Sequence, residues 1–187
     1  MVEPATKAIG LLARIVGPAA TPADTALTLA AMVLAVPLAA GAIMSAGTVD
    51  WRWWQWLLVL IVASDLGGGI VANALPSTKR WYHAPNGHDR RMLGFALLQV
   101  QLPALALIVP EAMPMLAGVL GYIWLLGGVT ILLAVPHRFR LAIAFMITAV
   151  GTVLLARLLP VASALGWMPL ALCLKILAGH VIGPGEA

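Results

Sequence analysis

The chain has 187 residues, of which 62% are hydrophobic and only 10% are charged, whereas about a quarter of the residues in soluble domains are charged. This composition excludes a soluble globular domain, because a chain of this length could not hide so much apolar surface from water. The formal net charge is only +4, and the basic residues lie between apolar segments, which favours membrane orientation over nucleic-acid binding.

The first 20 residues form a segment of their own. Lys7 and Arg14 interrupt its apolar residues, so the segment is too short and too basic to cross about 30 Å of hydrocarbon. We predict an interfacial amphipathic helix over residues 1–20. The following residues, Thr21-Pro22-Ala23-Asp24, are typical of a helix start, with an N-cap hydroxyl, a proline in the first turn and a carboxylate near the positive helix end.

Proline, glycine and charged residues divide residues 21–187 into apolar stretches that are each close to the length of a transmembrane helix. The pattern predicts one domain with an all-α fold, a polytopic helical membrane protein with about six transmembrane helices. The predicted spans cover residues 25–46, 54–75, 93–109, 113–135, 141–159 and 166–183.

The distribution of lysine and arginine predicts the orientation of these spans. Placing the N-terminus in the cytoplasm puts eight bases on the cytoplasmic side and leaves two, Arg52 and Arg157, near the outer face. The eight are Lys7, Arg14, Lys79, Arg80, Arg90, Arg91, Arg138 and Arg140. Because cytoplasmic loops carry the excess of basic residues, we predict a multi-pass protein of the cell membrane (an inner membrane) with both termini cytoplasmic. Five tryptophans would then form an outer aromatic belt: Trp51, Trp53, Trp54, Trp56 and Trp167.

Two residues of opposite charge fall at matching depths in the predicted spans. Asp65 lies about halfway along the second span and Lys175 about halfway along the sixth, counting about 1.5 Å per residue. Opposite charges at one level can pair, whereas a lone charge in a span is costly. We therefore predict an Asp65–Lys175 contact if these spans are neighbours. It would either fix helix register or serve proton or ion coupling; the alternative is that Lys175 snorkels toward an interface.

Asn73 follows Asp65 by two helical turns, with Gly69 between them, so the three residues share one face. The glycines at residues 67–69 allow close approach of a neighbouring helix or of a ligand, and helix packing is the favoured interpretation.

Three further polar residues lie toward the cytoplasmic ends of their spans, near the predicted depth of Asn73: Gln99 and Gln101 of the third span, and His180 of the sixth. Residues two apart on a helix cannot face one point. We therefore expect one glutamine, assigned as Gln99, to line the site together with His180.

The predicted loop at residues 76–91 is richer in functional groups than orientation requires. Its candidate residues are Lys79, Arg80, Trp81, Tyr82, His83, His88, Asp89, Arg90 and Arg91. Orientation needs only the bases, whereas this mixture of donors and aromatic rings favours capture of a phosphate or carboxylate at the level of the headgroups. His88 beside Asp89 is a candidate general base. Two alternatives stay open: His83, His88 and Asp89 as ligands of a divalent metal, and ordinary interfacial histidines. The histidine spacing matches no compact metal signature, and the single cysteine, Cys173, excludes a cysteine-only site, so no metal or other cofactor is assigned.

Together these features predict a polar site, open to the cytoplasmic side, that binds or processes an amphiphilic or anionic small molecule or lipid. His88, Asp89 and Asp65 are the candidate proton-transfer groups; Asn73, Gln99, Lys175, His180 and the other loop residues are the candidate ligand contacts. The sequence leaves open whether the protein is an enzyme. The alternatives are a small ion- or proton-coupled transporter or channel using Asp65 and Lys175, and a structural subunit of a membrane complex. The expected partner is the lipid bilayer; oligomerisation is left open, and no nucleic-acid partner is expected.

Overall fold

The computed structural model describes residues 16–47, 49–83, 88–160 and 164–184. These residues form helices and connecting turns, with no strand among them. Five helical segments are long and apolar enough to cross a membrane, and a sixth, shorter apolar helix covers Met168–His180. The helical membrane fold is therefore confirmed. The predicted interfacial helix lies outside the described residues except at its end.

The helices, numbered in chain order, are α1 Pro22–Ser45, α2 Trp53–Ala74, α3 Pro76–Tyr82, α4 His88–Leu97, α5 Gln101–Ile108, α6 Met115–Ala134, α7 His137–Ala156 and α8 Met168–Cys173, followed by a π-helix, Leu174–His180.

The first two spans form a closely packed hairpin. α1 begins as its sequence predicts, because the Thr21 hydroxyl accepts a hydrogen bond from the Asp24 backbone N–H at 3.1 Å and the Asp24 carboxylate accepts one from the Thr21 N–H at 3.0 Å. Further along, a Cβ on Gly67 would lie 2.4 Å from the Ala35 Cβ, and one on Gly68 would lie 2.2 Å from the Met32 Cγ. The packing interpretation of these two glycines is confirmed.

The third span is broken into α4 and α5, whereas the sequence pattern predicted a continuous helix. Residues 98–100 separate the two helices. Pro103 explains the interruption, because a proline has no N–H to donate and its ring would clash with the carbonyl four residues earlier, that of Gln99. The Leu97 carbonyl at the break accepts a hydrogen bond from the Tyr122 hydroxyl of α6 at 2.7 Å.

The fourth and fifth spans, α6 and α7, are regular helices that pack through small residues. The Trp124 indole N–H of α6 donates to the Ile147 carbonyl of α7 at 3.1 Å, and a Cβ on Gly151 would overlap the same indole. Arg140, predicted to precede the fifth span, lies in the first turn of α7 and is buried. Its guanidinium donates to the Val135 carbonyl at 3.1 Å, because helix ends leave carbonyls that need donors.

The last helical segment is short and central. α8 contributes six residues and the π-helix seven, which gives a length of roughly 20 Å, less than the thickness of the hydrocarbon core. Most of the π-helix is buried, and it contacts α2, α6 and α7. A sixth full span over residues 166–183 is therefore not confirmed in the described residues.

The predicted tryptophan belt is only partly exposed. Trp53 and Trp54 are exposed, whereas Trp51 is buried, and its indole N–H donates to the Glu111 carboxylate. The Trp51 and Trp56 rings meet edge to face with their centroids 5.5 Å apart. Part of the belt therefore joins the start of α2 to the turn that follows α5.

Candidate functional site

The site is centred on an ion pair between α2 and the π-helix. The Lys175 ammonium Nζ lies 2.6 Å from the Asp65 carboxylate oxygen Oδ2, which confirms the predicted contact. Asp65 lies about 18 Å from the start of α2 and about 14 Å from its end, so the pair is near the middle of the span. The Lys175 side chain is only 4% exposed, whereas that of Asp65 is 49% exposed.

The face of α2 that follows Asp65 is shaped to receive the lysine. A Cβ on Gly69 would lie 2.4 Å from the Lys175 Cε and 2.8 Å from its Cδ, so the glycine leaves room for the aliphatic stem. One turn later, the Asn73 amide Nδ2 donates to the Lys175 carbonyl at 3.0 Å. Asp65, Gly69 and Asn73 therefore share one face, as predicted, and all three contact the π-helix segment.

Both glutamines of the third span belong to the same hydrogen-bond network. The Gln101 Nε2 donates to the Asp65 Oδ2 at 3.2 Å and to the Gln99 Oε1 at 3.0 Å. The buried Gln99 also donates to the Phe95 carbonyl at 3.4 Å. Gln101 therefore contacts Asp65 directly, whereas Gln99, the glutamine assigned to the site, is linked to Asp65 only through Gln101. Neither glutamine is among the residues that line the neighbouring cavity. The assignment assumed a continuous helix, whereas the break before α5 lets the two side chains meet.

A cavity of about 150 Å³ extends from the ion pair toward α3. It is lined by residues of α1, α2, α3, α4 and the π-helix: Thr28, Met32, Asp65, Gly68, Gly69, Ala72, Asn73, Tyr82, Phe95 and Lys175. Four of these residues, Asp65, Asn73, Tyr82 and Lys175, were predicted from the sequence as site residues. Thr28, Met32 and Phe95 were not predicted, because an isolated threonine, methionine or phenylalanine in an apolar span carries no signal of a site.

Aromatic rings close the end of the cavity near α3. The His180 ring stacks on Phe95 with centroids 4.0 Å apart and meets Tyr82 edge to face at 5.1 Å. His83 joins this cluster through a hydrogen bond between its Nε2 and the His180 carbonyl at 2.9 Å. Burial raises the pKa of the Tyr82 phenol above its usual range, so the hydroxyl stays protonated at neutral pH.

The other described candidates from the predicted loop are not among the residues that line the cavity. Lys79, Arg80 and Trp81 are on α3, which is a short helix rather than a loop, and Arg90 and Arg91 are exposed on the first turns of α4. The side chains of His88 and Asp89 lie outside the described residues, so their catalytic assignment stays a prediction. Within the described ranges, no three His, Cys, Asp or Glu side chains group as metal ligands would.

Comparison with known proteins gave no match: no family model, no curated protein and no solved structure matches the chain. The function must therefore be argued from the geometry of the site.

Proposed function

We propose that this protein binds an amphiphile from within the bilayer, with the polar head of the ligand at the Asp65–Lys175 pair and its tail in the lipid. One observation carries the proposal: a half-exposed carboxylate, paired with a buried lysine, lines a cavity midway along a helix that is long and apolar enough to cross a membrane. An ionisable group in the middle of such a helix indicates a functional site.

The position of Asp65 on α2 supports access from the lipid. Asp65 continues an exposed stripe that includes Leu58 and Ile61 at helical spacing. These large apolar side chains face lipid in a membrane, so the carboxylate lies at the end of a lipid-facing surface. A ligand that is already dissolved in the bilayer can reach the carboxylate without crossing an aqueous channel.

The size of the cavity supports partial enclosure of the ligand. A volume of about 150 Å³ holds about five water molecules, whereas cavities that enclose whole drug-sized ligands are about 300–1,000 Å³. The cavity therefore suits a small head, and the rest of the ligand remains between lipid chains. The cavity extends toward the end of the bundle predicted to be cytoplasmic, which favours the inner leaflet.

The test compares two tryptophan substitutions on α1. Met32→Trp places a large ring at the cavity lining, whereas Met44→Trp makes the same change at an exposed position on the same helix. Native mass spectrometry of protein extracted in lipid nanodiscs should show a bound amphiphile in the wild type and the Met44→Trp variant, with occupancy reduced about tenfold in Met32→Trp. Equal retention by both variants would contradict binding in this cavity.

A second function, proton- or ion-coupled transport, is favoured by the broken third span. Interrupted helices at mid-membrane depth are typical of transporter sites, and the interruption here lies beside Asp65. In liposomes, Asp65→Asn should then abolish a pH- or ion-dependent flux that the wild type supports. An unchanged flux would rule out this use of Asp65.

A further inference from the structure

We infer that the head of the ligand is a hydrogen-bond donor, a hydroxyl or an ammonium group, and is neither a phosphate nor a carboxylate. This inference rests on the proposed binding function and names the class of molecule that the cavity takes. It departs from the expectation of an anionic ligand, which the basic residues of α3 and α4 had raised.

The unequal exposure of the ion pair is the first argument. Lys175 is the only base among the described residues that line the cavity, and its side chain is 4% exposed while that of Asp65 is 49% exposed. An incoming head therefore meets the carboxylate before the ammonium. An anion at this position would be repelled by the nearer charge, and the low dielectric of the membrane strengthens that repulsion.

The hydrogen bonds within the pair give the second argument. Lys175 and Gln101 both donate to the same oxygen of Asp65, Oδ2. Across the described part of the chain, no residue donates to the other oxygen, Oδ1. A carboxylate is acceptor-only when ionised, so only a donor can satisfy this oxygen.

The rest of the cavity wall offers further acceptors. The Asn73 amide nitrogen uses one of its two N–H groups on the Lys175 carbonyl, and the Thr28 hydroxyl donates to the Asp24 carbonyl at 2.9 Å. The amide oxygen of Asn73 and the hydroxyl oxygen of Thr28 therefore offer lone pairs to a ligand, beside one remaining N–H of Asn73. A hydroxyl or ammonium head matches this wall, and an ammonium would bind more tightly because charge-assisted hydrogen bonds are stronger.

The inference is tested with four probes of equal chain length: dodecylammonium, dodecanol, dodecanoate and dodecyl phosphate. Each radiolabelled probe is equilibrated with phosphatidylcholine nanodiscs that contain the protein and with empty nanodiscs. Dodecylammonium should bind about tenfold more tightly than either anion, with dodecanol in between. The net charge of the protein is +4, so non-specific attraction would favour the anions and cannot produce this ranking.

Two variants test whether the order of the four affinities arises in the cavity. The paired change Asp65→Asn with Lys175→Met removes both charges and should bring the four affinities to within about threefold of one another. Asp50→Asn removes an exposed carboxylate outside the cavity and should leave the wild-type ranking unchanged. If the double variant fails to fold, the order of the four affinities in the wild type still tests the inference.

The possible outcomes separate the two proposals. Anions binding as tightly as dodecylammonium would overturn the donor inference and leave amphiphile binding intact. No excess binding of any probe over empty nanodiscs would overturn the binding function itself. Displacement of dodecylammonium by Na⁺, but not by choline at equal ionic strength, would show that Asp65 Oδ1 binds a free cation. That result would contradict binding of an amphiphile head at this oxygen.

Discussion

On the two sides of the helical bundle, glycine makes room for side chains of different character. In the α6–α7 pair, Gly151 makes room for an uncharged ring, that of Trp124, between two uninterrupted helices. In α2, Gly69 makes room for the stem of the buried Lys175. The neighbouring segments on that side are irregular, since the third span is broken and the last helix is a π-helix. Irregular backbone in this protein therefore coincides with the polar network.

The difference follows from the shortage of hydrogen-bond partners in lipid. A backbone group that leaves a regular helix must find a donor or acceptor elsewhere in the protein. On the irregular side, three side chains donate hydrogen bonds to backbone carbonyls. The pairs are Tyr122 with Leu97, Asn73 with Lys175 and Gln99 with Phe95. Polar side chains thus stabilise the backbone shape that holds the ion pair.

The largest effect should come from removing one member of the ion pair. Asp65→Ala leaves the buried Lys175 ammonium without its carboxylate and should lower the free energy of unfolding by about 3–5 kcal/mol. The matched change on the regular side is Thr148→Val, because the buried Thr148 hydroxyl has no hydrogen-bond partner among the described residues. That variant should be neutral or slightly stabilised. Unfolding of both proteins is followed in SDS titrations.

A double variant separates loss of the pair from loss of packing. Asp65→Leu with Lys175→Met replaces both charges by apolar groups of similar volume and should recover most of the lost stability. Similar destabilisation in the single and double variants would show that the charge of Lys175 does not determine the effect.

An intermediate effect should come from the two glycines. Gly69→Ala would push the Lys175 stem aside, and Gly151→Ala would push the Trp124 indole; each should cost about 1–3 kcal/mol. Only Gly69→Ala should also reduce amphiphile occupancy in native mass spectrometry. Gly127→Ala is the control, since a Cβ there meets nothing within 4 Å. Equal loss of occupancy in the Gly69 and Gly151 variants would remove the proposed contrast between the two sides.

The smallest effect should come from a single hydrogen bond to the backbone. Tyr122→Phe removes the donor to the Leu97 carbonyl and little else, and it should cost about 0.5–1.5 kcal/mol. Trp124→Phe is the comparison on the regular side; it removes the donor to the Ile147 carbonyl together with part of the ring that packs on Gly151, so it should cost more. Hydrogen exchange should quicken at residues 98–101 in the Tyr122 variant alone. Exchange unchanged at those residues would mean that the tyrosine does not stabilise the break.

The parts of the fold that depend on periodicity and depth could be predicted from the sequence. Long apolar stretches between prolines and charges located five of the spans. Depth along the spans, at about 1.5 Å per residue, was enough to pair Asp65 with Lys175 and to place Asn73 on the same face, because both inferences need only helical spacing.

The irregular parts could not be predicted in this way. The π-helix gives no composition signal, and the short last helix was taken for a full span because the apolar sequence continues beyond its helical ends. Pro103 was the available clue to the broken third span, but its clash involves the carbonyl of a residue in the preceding turn. Charge counting used Arg140 only to orient the spans, and it carries no information on whether the side chain is buried against helix-end carbonyls.

The ion pair also constrains how the protein is made. Asp65 and Lys175 are 110 residues apart, and at about 5–20 residues per second the ribosome needs about 5–20 s to synthesise that interval. During this time the second span carries a carboxylate whose partner does not yet exist. Until the last helix is made, the charge of Asp65 needs another source of stabilisation, such as water or the insertion machinery. A chain that stops before Lys175 would remain in that unfinished state, where quality-control proteases could recognise it.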